Sequence, residues 1–582
     1  MNQLFAKKSL KVLLDEMAGE HRLRRVLGPV TLTALGIGAV IGAGIFVATG
    51  AAAKDVAGPA LMVSYTVAGL TCVFAALCYA EFASMAPVAG SAYTYAYTTM
   101  GELFAWIIGW DLVLEYAVGG ATVANGWSGY FQSVLLKLGI VVPMALSGAP
   151  HKYDQGHILP NLVAEYDGAQ VTQKSLTTKQ AEDAKWADAS PRLPGRILPE
   201  GVYWVHSKQE AGKTVVAAAV GDAAFEAKLQ NPQRALINLP AVLVVFIVTA
   251  VLVKGIQESA GFNALMVAIK VAAVLFVIAV GAFYVNPENW TRDFAPKGWT
   301  GVSFFGIPVF GQENPAGEPV GMLAGAAIIF FAYIGFDSVS THAEEARNPK
   351  KDVPIGIVAS LVICTVLYIA VAAVLTGMVP YGQINIETPV SDAFRQAGLP
   401  WARGLISLGA MCGITSVLLV MMLSQPRVWL AMARDGMVPP SFFGAVHERF
   451  RTPWKATILT GVFVAIGAAF LPLRILADLT NIGTLFAFVV VCAAVLIMRR
   501  THPTAERPFR APLGTFVPVA GIVTCMILMF SLAKENWYRL FIWLAIGFVI
   551  YFAYGRKHSV MARIAARKAV AIPGAVQPSS TS

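Results

Sequence analysis

The sequence predicts an all-α polytopic membrane protein, and three observations carry that prediction. Of 582 residues, 56% are hydrophobic and only 13% are charged, whereas a soluble domain averages about a quarter charged residues. The apolar residues are gathered in blocks of about 20 or more, the length a helix needs to cross a bilayer. Those blocks show no alternation of apolar and polar residues, which a membrane β-barrel would require.

Apolar length, with breaks at charge, Gly and Pro, divides the chain into twelve expected spans. They are residues 29–50, 60–86, 101–136, 235–253, 259–284, 320–341, 355–379, 403–431, 454–472, 474–498, 514–533 and 538–555. An even number of spans puts both termini on one side. Segments on that side hold Lys7, Lys8, Lys11, Arg22, Arg24 and Arg25, then Lys254, then Arg347, Lys350 and Lys351. They continue with Arg427, Arg434, Arg449, Arg451 and Lys455, then Arg499, Arg500, Arg507 and Arg510, and a basic tail from Arg556. The short loops on the opposite side carry scattered basic residues such as Lys54, Arg292 and Lys297. The positive-inside rule therefore puts both termini in the cytoplasm. The net charge of +10 follows from this anchoring. No basic and aromatic stripe lies outside the apolar blocks, so no nucleic-acid partner is expected.

Residues 1–28 read as a cytoplasmic amphipathic stretch lying at the membrane surface, with no apolar core of a cleaved signal. Residues 148–232, between the third and fourth spans, form a long polar segment of mixed charge. Its length predicts structure of its own, a small cap of strands and one helix on the outer face. The six cysteines, Cys72, Cys78, Cys364, Cys412, Cys492 and Cys525, all fall in apolar runs. They offer no disulfide framework in loops and no metal cluster.

Lys270 stands in the middle of the apolar run 259–284. A cation there costs on the order of 3 kcal/mol or more. It lies about 11 residues from either end of its span, about 16 Å along the helix, too far to snorkel. Such a residue faces a cavity or a partner, and lysine is a basic group that burial allows to give up its proton. The first span contains Gly36-Ile37-Gly38-Ala39-Val40-Ile41-Gly42-Ala43-Gly44-Ile45-Phe46. So many glycines weaken a continuous helix. Either Gly38-x-x-x-Gly42 packs closely on a neighbour, or the helix unwinds at Gly42–Gly44 and its freed amides face a carboxylate. The sixth span reads Phe330-Phe331-Ala332-Tyr333-Ile334-Gly335-Phe336-Asp337-Ser338, again with a glycine and an acid in mid-span. Spans one and six occupy equivalent places in two five-span units, and paired interruptions point to a binding site at the midplane.

These segments resemble the amino acid–polyamine–organocation superfamily of permeases, and within it the bacterial cationic amino acid transporter group. The resemblance rests on residues 36–46, on Trp110-Asp111-Leu112-Val113-Leu114-Glu115-Tyr116, on 263–270 and on 330–341. It continues through Glu344-Glu345-Ala346-Arg347-Asn348-Pro349-Lys350-Lys351-Asp352-Val353-Pro354 and Leu479-Thr480-Asn481-Ile482-Gly483-Thr484. It leaves out 148–232. It implies the leucine-transporter fold, a 5+5 inverted repeat of ten core helices plus two peripheral ones. The first repeat would be 29–284, the second 320–498, the peripheral pair 514–555, and 556–582 a cytoplasmic tail.

The resemblance also implies roles. Backbone groups of Ile41, Gly42, Ala43, Gly44 and Ile45 would hold a substrate carboxylate. Carbonyls near Phe331, Ala332 and Ile334 would accept from its α-ammonium, with the Phe331 ring closing over it. Relatives often carry Ser or Thr at the position of Ala43, so a hydroxyl contact is missing here. Lys270 matches the lysine that replaces a sodium ion in proton-coupled members. Glu115, Asp337, Thr415 and Asn481 are candidates for a polar network, with one acid balancing Lys270 or meeting a basic substrate side chain, or with both fixing helix packing. Thr415, with its neighbour Ser416, and Asn481 carry the weaker signal, since polar residues in spans often only join helices. The expected function is uptake of L-amino acids across the inner membrane, with amino acid, protons and lipid as partners and no cofactor. Symport with protons and exchange of amino acids both fit, with Lys270 a fixed brace in the second. Cationic and neutral substrates both remain open. An enzyme is not expected, because the spans hold no metal-spaced cluster and no Ser-His pair. Nor is a channel, which would show charged rings or filter loops, or a pump with a phosphate-binding Gly-x-x-x-x-Gly-Lys loop.

Overall fold

Apolar runs of this length can satisfy their backbone in lipid only as helix, and helix is what the computed structural model contains. The structure describes residues 3–8, 25–85, 90–138, 140, 142–150, 162–167, 170–175, 207–210, 213–216, 235–305, 307–313, 319–386 and 388–563. Most of the expected amphipathic stretch before residue 25 and most of the tail therefore lie outside the described residues.

Helix α1 (Pro29–Val40) begins at a proline, which suits the first helical turn, and stops in mid-run. After Ile41 and Gly42 the chain resumes as a wide π-turn over Gly44–Ala48 and continues irregularly to Ala57. Then come α2 (Leu61–Met85), the short α3 (Ser91–Thr99), α4 (Glu102–Lys137), α5 (Leu239–Lys254) and α6 (Ile256–Gly281). The next apolar run is split into α7 (Met322–Ile329), a single 3-10 turn Phe330–Tyr333, and α8 (Ser338–Thr341). Helices α9 (Pro349–Met378), α10 (Pro389–Gln396), α11 (Pro400–Arg434), α12 (Trp454–Phe470), α13 (Leu473–Thr501), α14 (Phe516–Phe530) and α15 (Lys534–Ile550) follow. Among the described residues eight stretches are long and apolar enough to cross a membrane, Pro29–Met85 counted as one. The apolar helices α5, α12 and α14 are shorter.

Three elements were not foreseen. Helices α3 and α10 are too short, and α3 too rich in Tyr and Thr, to register as apolar blocks. The loop before α7 forms a hairpin of β-strands, described below.

The chain forms two compact units. The smaller comprises Leu135–Pro240 with Ala468–Pro472 and carries most of the long polar segment. Its strands Leu162–Asp167 (β1), Gln170–Ser175 (β2), Ser207–Glu210 (β3) and Lys213–Val216 (β4) form one antiparallel sheet in the order β2-β1-β4-β3. Strands are thus present within the segment expected to form a cap, and the helix expected beside them lies outside the described residues. At the base of this unit the amide of Leu236 donates to Ala145 O at 2.8 Å, and that of Asn238 to Ala469 O at 3.2 Å.

The larger unit holds the rest. At the end carrying the basic loops, charges are buried in pairs. The Arg427 guanidinium meets Glu345 at 2.7 Å with both side chains buried. Lys8 donates to Asp435 at 2.7 Å, and Tyr93 Oη donates to the other oxygen of that carboxylate at 2.8 Å. Glu81 on α2 accepts from Arg499 Nε of α13 at 3.0 Å and from the amide of Ala511 at 2.9 Å. The backbone of Leu27 is zipped to the loop before α9, its amide donating to Glu345 O and its carbonyl accepting from Arg347 N at 2.8 Å. These bonds tie the entry to α1 to the ends of α9 and α11.

Removing one partner of such a pair strands the other charge. Glu81→Ala is expected to destabilise the protein by about 3–5 kcal/mol, read as a lower unfolding temperature of the purified protein in detergent.

Candidate functional site

The two broken helices meet at their breaks. α1 ends where Ile41 turns to an extended conformation, φ −73° and ψ 104°. That is one residue ahead of the expected unwinding point. The Ile41 amide still closes the ladder to Ile37 O at 3.1 Å, and Phe46 N reaches Gly42 O at 3.2 Å. Between them the amides of Gly42, Ala43, Gly44 and Ile45 have no backbone acceptor among the described residues. Four donors are thus left open at the start of a helical segment, the arrangement that favours an anion.

The partner break is made by Ile334, at ψ 134°, and Gly335, at φ +116°. Only glycine adopts that φ without strain. A Cβ there would also lie 2.8 Å from Ala39 O. Reciprocally, a Cβ on Gly44 would overlap the backbone of Ala332. Each break thus presses a glycine against the backbone of the other broken helix, which explains why both sites must lack a side chain.

A break in mid-membrane frees carbonyls that water cannot satisfy. Side chains from five neighbouring helices take them up, among them Ser416 of α11, whose hydroxyl donates to Gly38 O at 3.0 Å. Lys270 on α6 is fully buried. Its Nζ donates to Gly38 O at 2.7 Å, Ile41 O at 2.8 Å and Ser416 Oγ of α11 at 2.7 Å. An ammonium has three donors and no acceptor, so each proton has a neutral oxygen. Tyr368 on α9 places its hydroxyl 2.7 Å from Val40 O and 2.9 Å from Ala332 O. Its single proton is shared between the last carbonyl of α1 and a carbonyl of the 3-10 turn that precedes the second break. Asn481 on α13 donates Nδ2 to Ala327 O at 3.2 Å and Ile328 O at 3.1 Å, holding the last turn of α7. Tyr130 Oη of α4 donates to Phe46 O at 2.7 Å. Tyr65, Tyr333 and Tyr368 pack their rings edge to face or tilted beneath the junction, with centroids 5.4–6.2 Å apart.

The expected site residues distribute as follows. Ile41, Gly42, Ala43, Gly44 and Ile45 line one break, and Phe331, Ala332 and Ile334 the other, all buried. Two of the expected carbonyls already have an internal partner: Phe331 O accepts from Ile334 N at 3.3 Å, and Ala332 O from Tyr368. Each keeps a second lone pair. Among the described residues Lys270 has no carboxylate among its hydrogen-bond acceptors, so neither Glu115 nor Asp337 pairs with it directly. Asp337 instead accepts from Tyr116 Oη at 2.6 Å and from the Gly335 amide at 3.3 Å. It clamps the glycine of the break to α4. Glu115 is buried one turn from Asp111, and neither carboxyl has a hydrogen-bond donor among the described residues. Thr415 falls outside the network, because its hydroxyl bonds Met411 O of its own helix at 2.7 Å. The neighbouring Ser416 is the α11 hydroxyl that turns inward.

Tyr368 was missed by sequence reasoning. Its signal was a phenolic hydroxyl in mid-span, too long to bond its own helix as Ser360, Thr365 and Thr376 do, which must find an acceptor because lipid supplies none.

The sequence profile of the family described as amino acid permease matches residues 27–551. The chain is 41% identical over 557 residues to the branched-chain amino acid permease BcaP of Bacillus subtilis, covering 96% of this chain and 98% of that one. It is 39% identical over 561 residues to the methylthioribose transporter of the same organism, covering 96% and 100%. To the vacuolar cationic amino acid transporter 4 of Arabidopsis thaliana it is 34% identical over 504 residues, covering 86% and 68%.

Tyr368→Phe keeps the ring packing and removes the shared proton, leaving two buried carbonyls short of a donor. A loss of about 1–3 kcal/mol is expected, appearing as a roughly tenfold or greater fall in substrate affinity with little change in expression. Gly44→Ala is expected to abolish substrate binding, since the added methyl has no room beside Ala332; a binding isotherm on the purified variant checks it.

Proposed function

The chain belongs to the amino acid permease family of multi-pass membrane transporters, which are not enzymes, and from that premise we propose that it carries L-amino acids into the cell by proton-coupled symport. The observation that carries this reading is Lys270, whose ammonium spans from the α1 break to α11.

The substrate α-carboxylate sits on the open amides of Gly42, Ala43, Gly44 and Ile45. The α-ammonium meets carbonyls of Phe331, Ala332 and Ile334, using their second lone pairs. The Phe331 ring covers it. With Lys270 charged, three N–H donors fix Gly38, Ile41 and Ser416. A neutral amine keeps two N–H donors and turns a lone pair toward the third oxygen. It then loses the bond to a carbonyl, or keeps that to Ser416 only if the hydroxyl leaves its own carbonyl acceptors to donate to the amine. The tie between the first broken helix and α11 then weakens, so that protonation and access state are linked through one contact. Glu115 and Asp111 form a second, uncompensated acidic place in mid-membrane. Intramembrane acids of this kind commonly mark ion or proton pathways.

The reciprocal packing of Gly44 on Ala332 and Gly335 on Ala39 supports two inverted five-helix units, 29–284 and 320–498, with 514–555 as a peripheral pair. Twelve spans follow when the two rods within Pro29–Met85 are counted separately and the three shorter apolar helices are included. With the basic loops facing the cytoplasm, both termini are cytoplasmic in the inner membrane and 148–232 is an extracytoplasmic insertion. The substrate is recognised by its shared backbone, in keeping with relatives named for branched-chain and for cationic amino acids.

One observation favours a second reading. All three ammonium protons of Lys270 already have acceptors, so a permanently charged lysine would be a stable brace for an amino acid exchanger.

Uptake of labelled alanine, leucine, arginine and glutamate into proteoliposomes separates the two. Symport predicts accumulation driven by an inward proton gradient and lost in Lys270→Met. Uptake that requires amino acid preloaded inside, with no response to the gradient, would replace symport by exchange.

A further inference from the structure

Between α6 and α7 the chain makes a hairpin of β5 (Val302–Phe304) and β6 (Ile307–Phe310), paired antiparallel. The base of the hairpin is built into the bundle. The amides of Met322 and Leu323, at the start of α7, donate to Gly298 O at 3.0 Å and Thr300 O at 3.1 Å. The Ser303 hydroxyl donates to Phe530 O and to Leu532 O, at the end of α14. The rings of Phe304 and Phe305 pack on Phe530 and Trp537, with centroids 4.7–5.5 Å apart.

The outer surface of the same hairpin is apolar and uncovered. Phe310 is 67% exposed, Phe304 54% and Val309 53%, with Trp299 beside them at 53%. Phe305 holds φ +51°, a costly conformation for a bulky aromatic residue, and this is the backbone that turns its ring onto Trp537. A loop meant for water would not concentrate aromatic residues in this way.

We propose that this hairpin is an interfacial anchor whose aromatic face lies in the headgroup and acyl boundary of the bilayer. Continuity with the lipid-facing surface selects lipid as the occupant. The hairpin is seated on the α14–α15 turn, where two apolar helices end. The exposed apolar residues of α15, Tyr538, Phe541 and Ile542, begin within two turns of that seat. Aromatic side chains are favoured at that depth because an apolar body meets a polar boundary there. The anchor fixes the level of the loop that caps α7, the first half of the broken helix, against the membrane surface.

The test uses the full-length protein in proteoliposomes, carrying an environment-sensitive fluorophore on Phe310→Cys. Among the described residues Phe310 makes no ring contact, so the change leaves the seat intact. Five of the native cysteines are buried and Cys412 is partly so, and labelled wild type gives the background. A blue-shifted emission, lost on adding lipids spin-labelled near the headgroup and resistant to iodide in the buffer, is the expected result. Emission quenched by iodide and untouched by the spin-labelled lipids would overturn the anchor. Cross-linking of Phe310→Cys between copies in the bilayer would also overturn it, assigning the face to a second copy of the chain.

Discussion

A helix interrupted in the middle of a bilayer leaves backbone groups that nothing outside the protein can satisfy, and this constraint organises the rest of the structure. Both broken helices expose carbonyls at their breaks, and each is met by a side chain from another helix. Lys270 takes Gly38 and Ile41. Tyr368 is shared by Val40 and Ala332, and Asn481 takes Ala327 and Ile328. The open amides on the other side of the first break are left over from this accounting. They form the natural place for a carboxylate. The breaks, the polar groups that hold them and the proposed substrate site are one arrangement.

The same logic explains where residues cannot change size. Gly44 and Gly335 permit the two irregular segments to touch backbone to backbone, and the contact is reciprocal. A moving pair of broken helices therefore has to move together, or separate. The buried ion pairs Arg427–Glu345 and Lys8–Asp435 join separate segments at one end of the bundle, where each charge is compensated by its partner.

Much of this was legible in the sequence, for identifiable reasons. Lys270 stood out because a charge in an apolar run is costly, and the glycine clusters stood out because they weaken a helix where length demands one. Block length located the long helices to within a few residues. What could not be read was pairing in space. Asp337 was grouped with Lys270 because both are charged, but it lies on Tyr116 and the amide of Gly335. Thr415 and Ser416 are adjacent and chemically alike, and only the rotation of α11 decides that Ser416 faces the lysine. Tyr368 hid among other hydroxyls of its span, Ser360, Thr365 and Thr376, which bond only their own helix. The hairpin of 302–310 is an apolar run too short to register as a span and interrupted by Gly306 and Pro308, and α3 and α10 are too short for periodicity to speak.

The central claim is that the charge on Lys270 ties the first broken helix to α11 and is released during transport. Nitrogen NMR of lysine-labelled protein in nanodiscs addresses it directly, with the Lys270 signal assigned by its loss in Lys270→Met. The expected result is a signal that changes from ammonium to amine as the pH is raised, with a midpoint that moves when alanine is bound. A signal that stays ammonium at every pH at which the protein is folded, with and without substrate, would contradict the account.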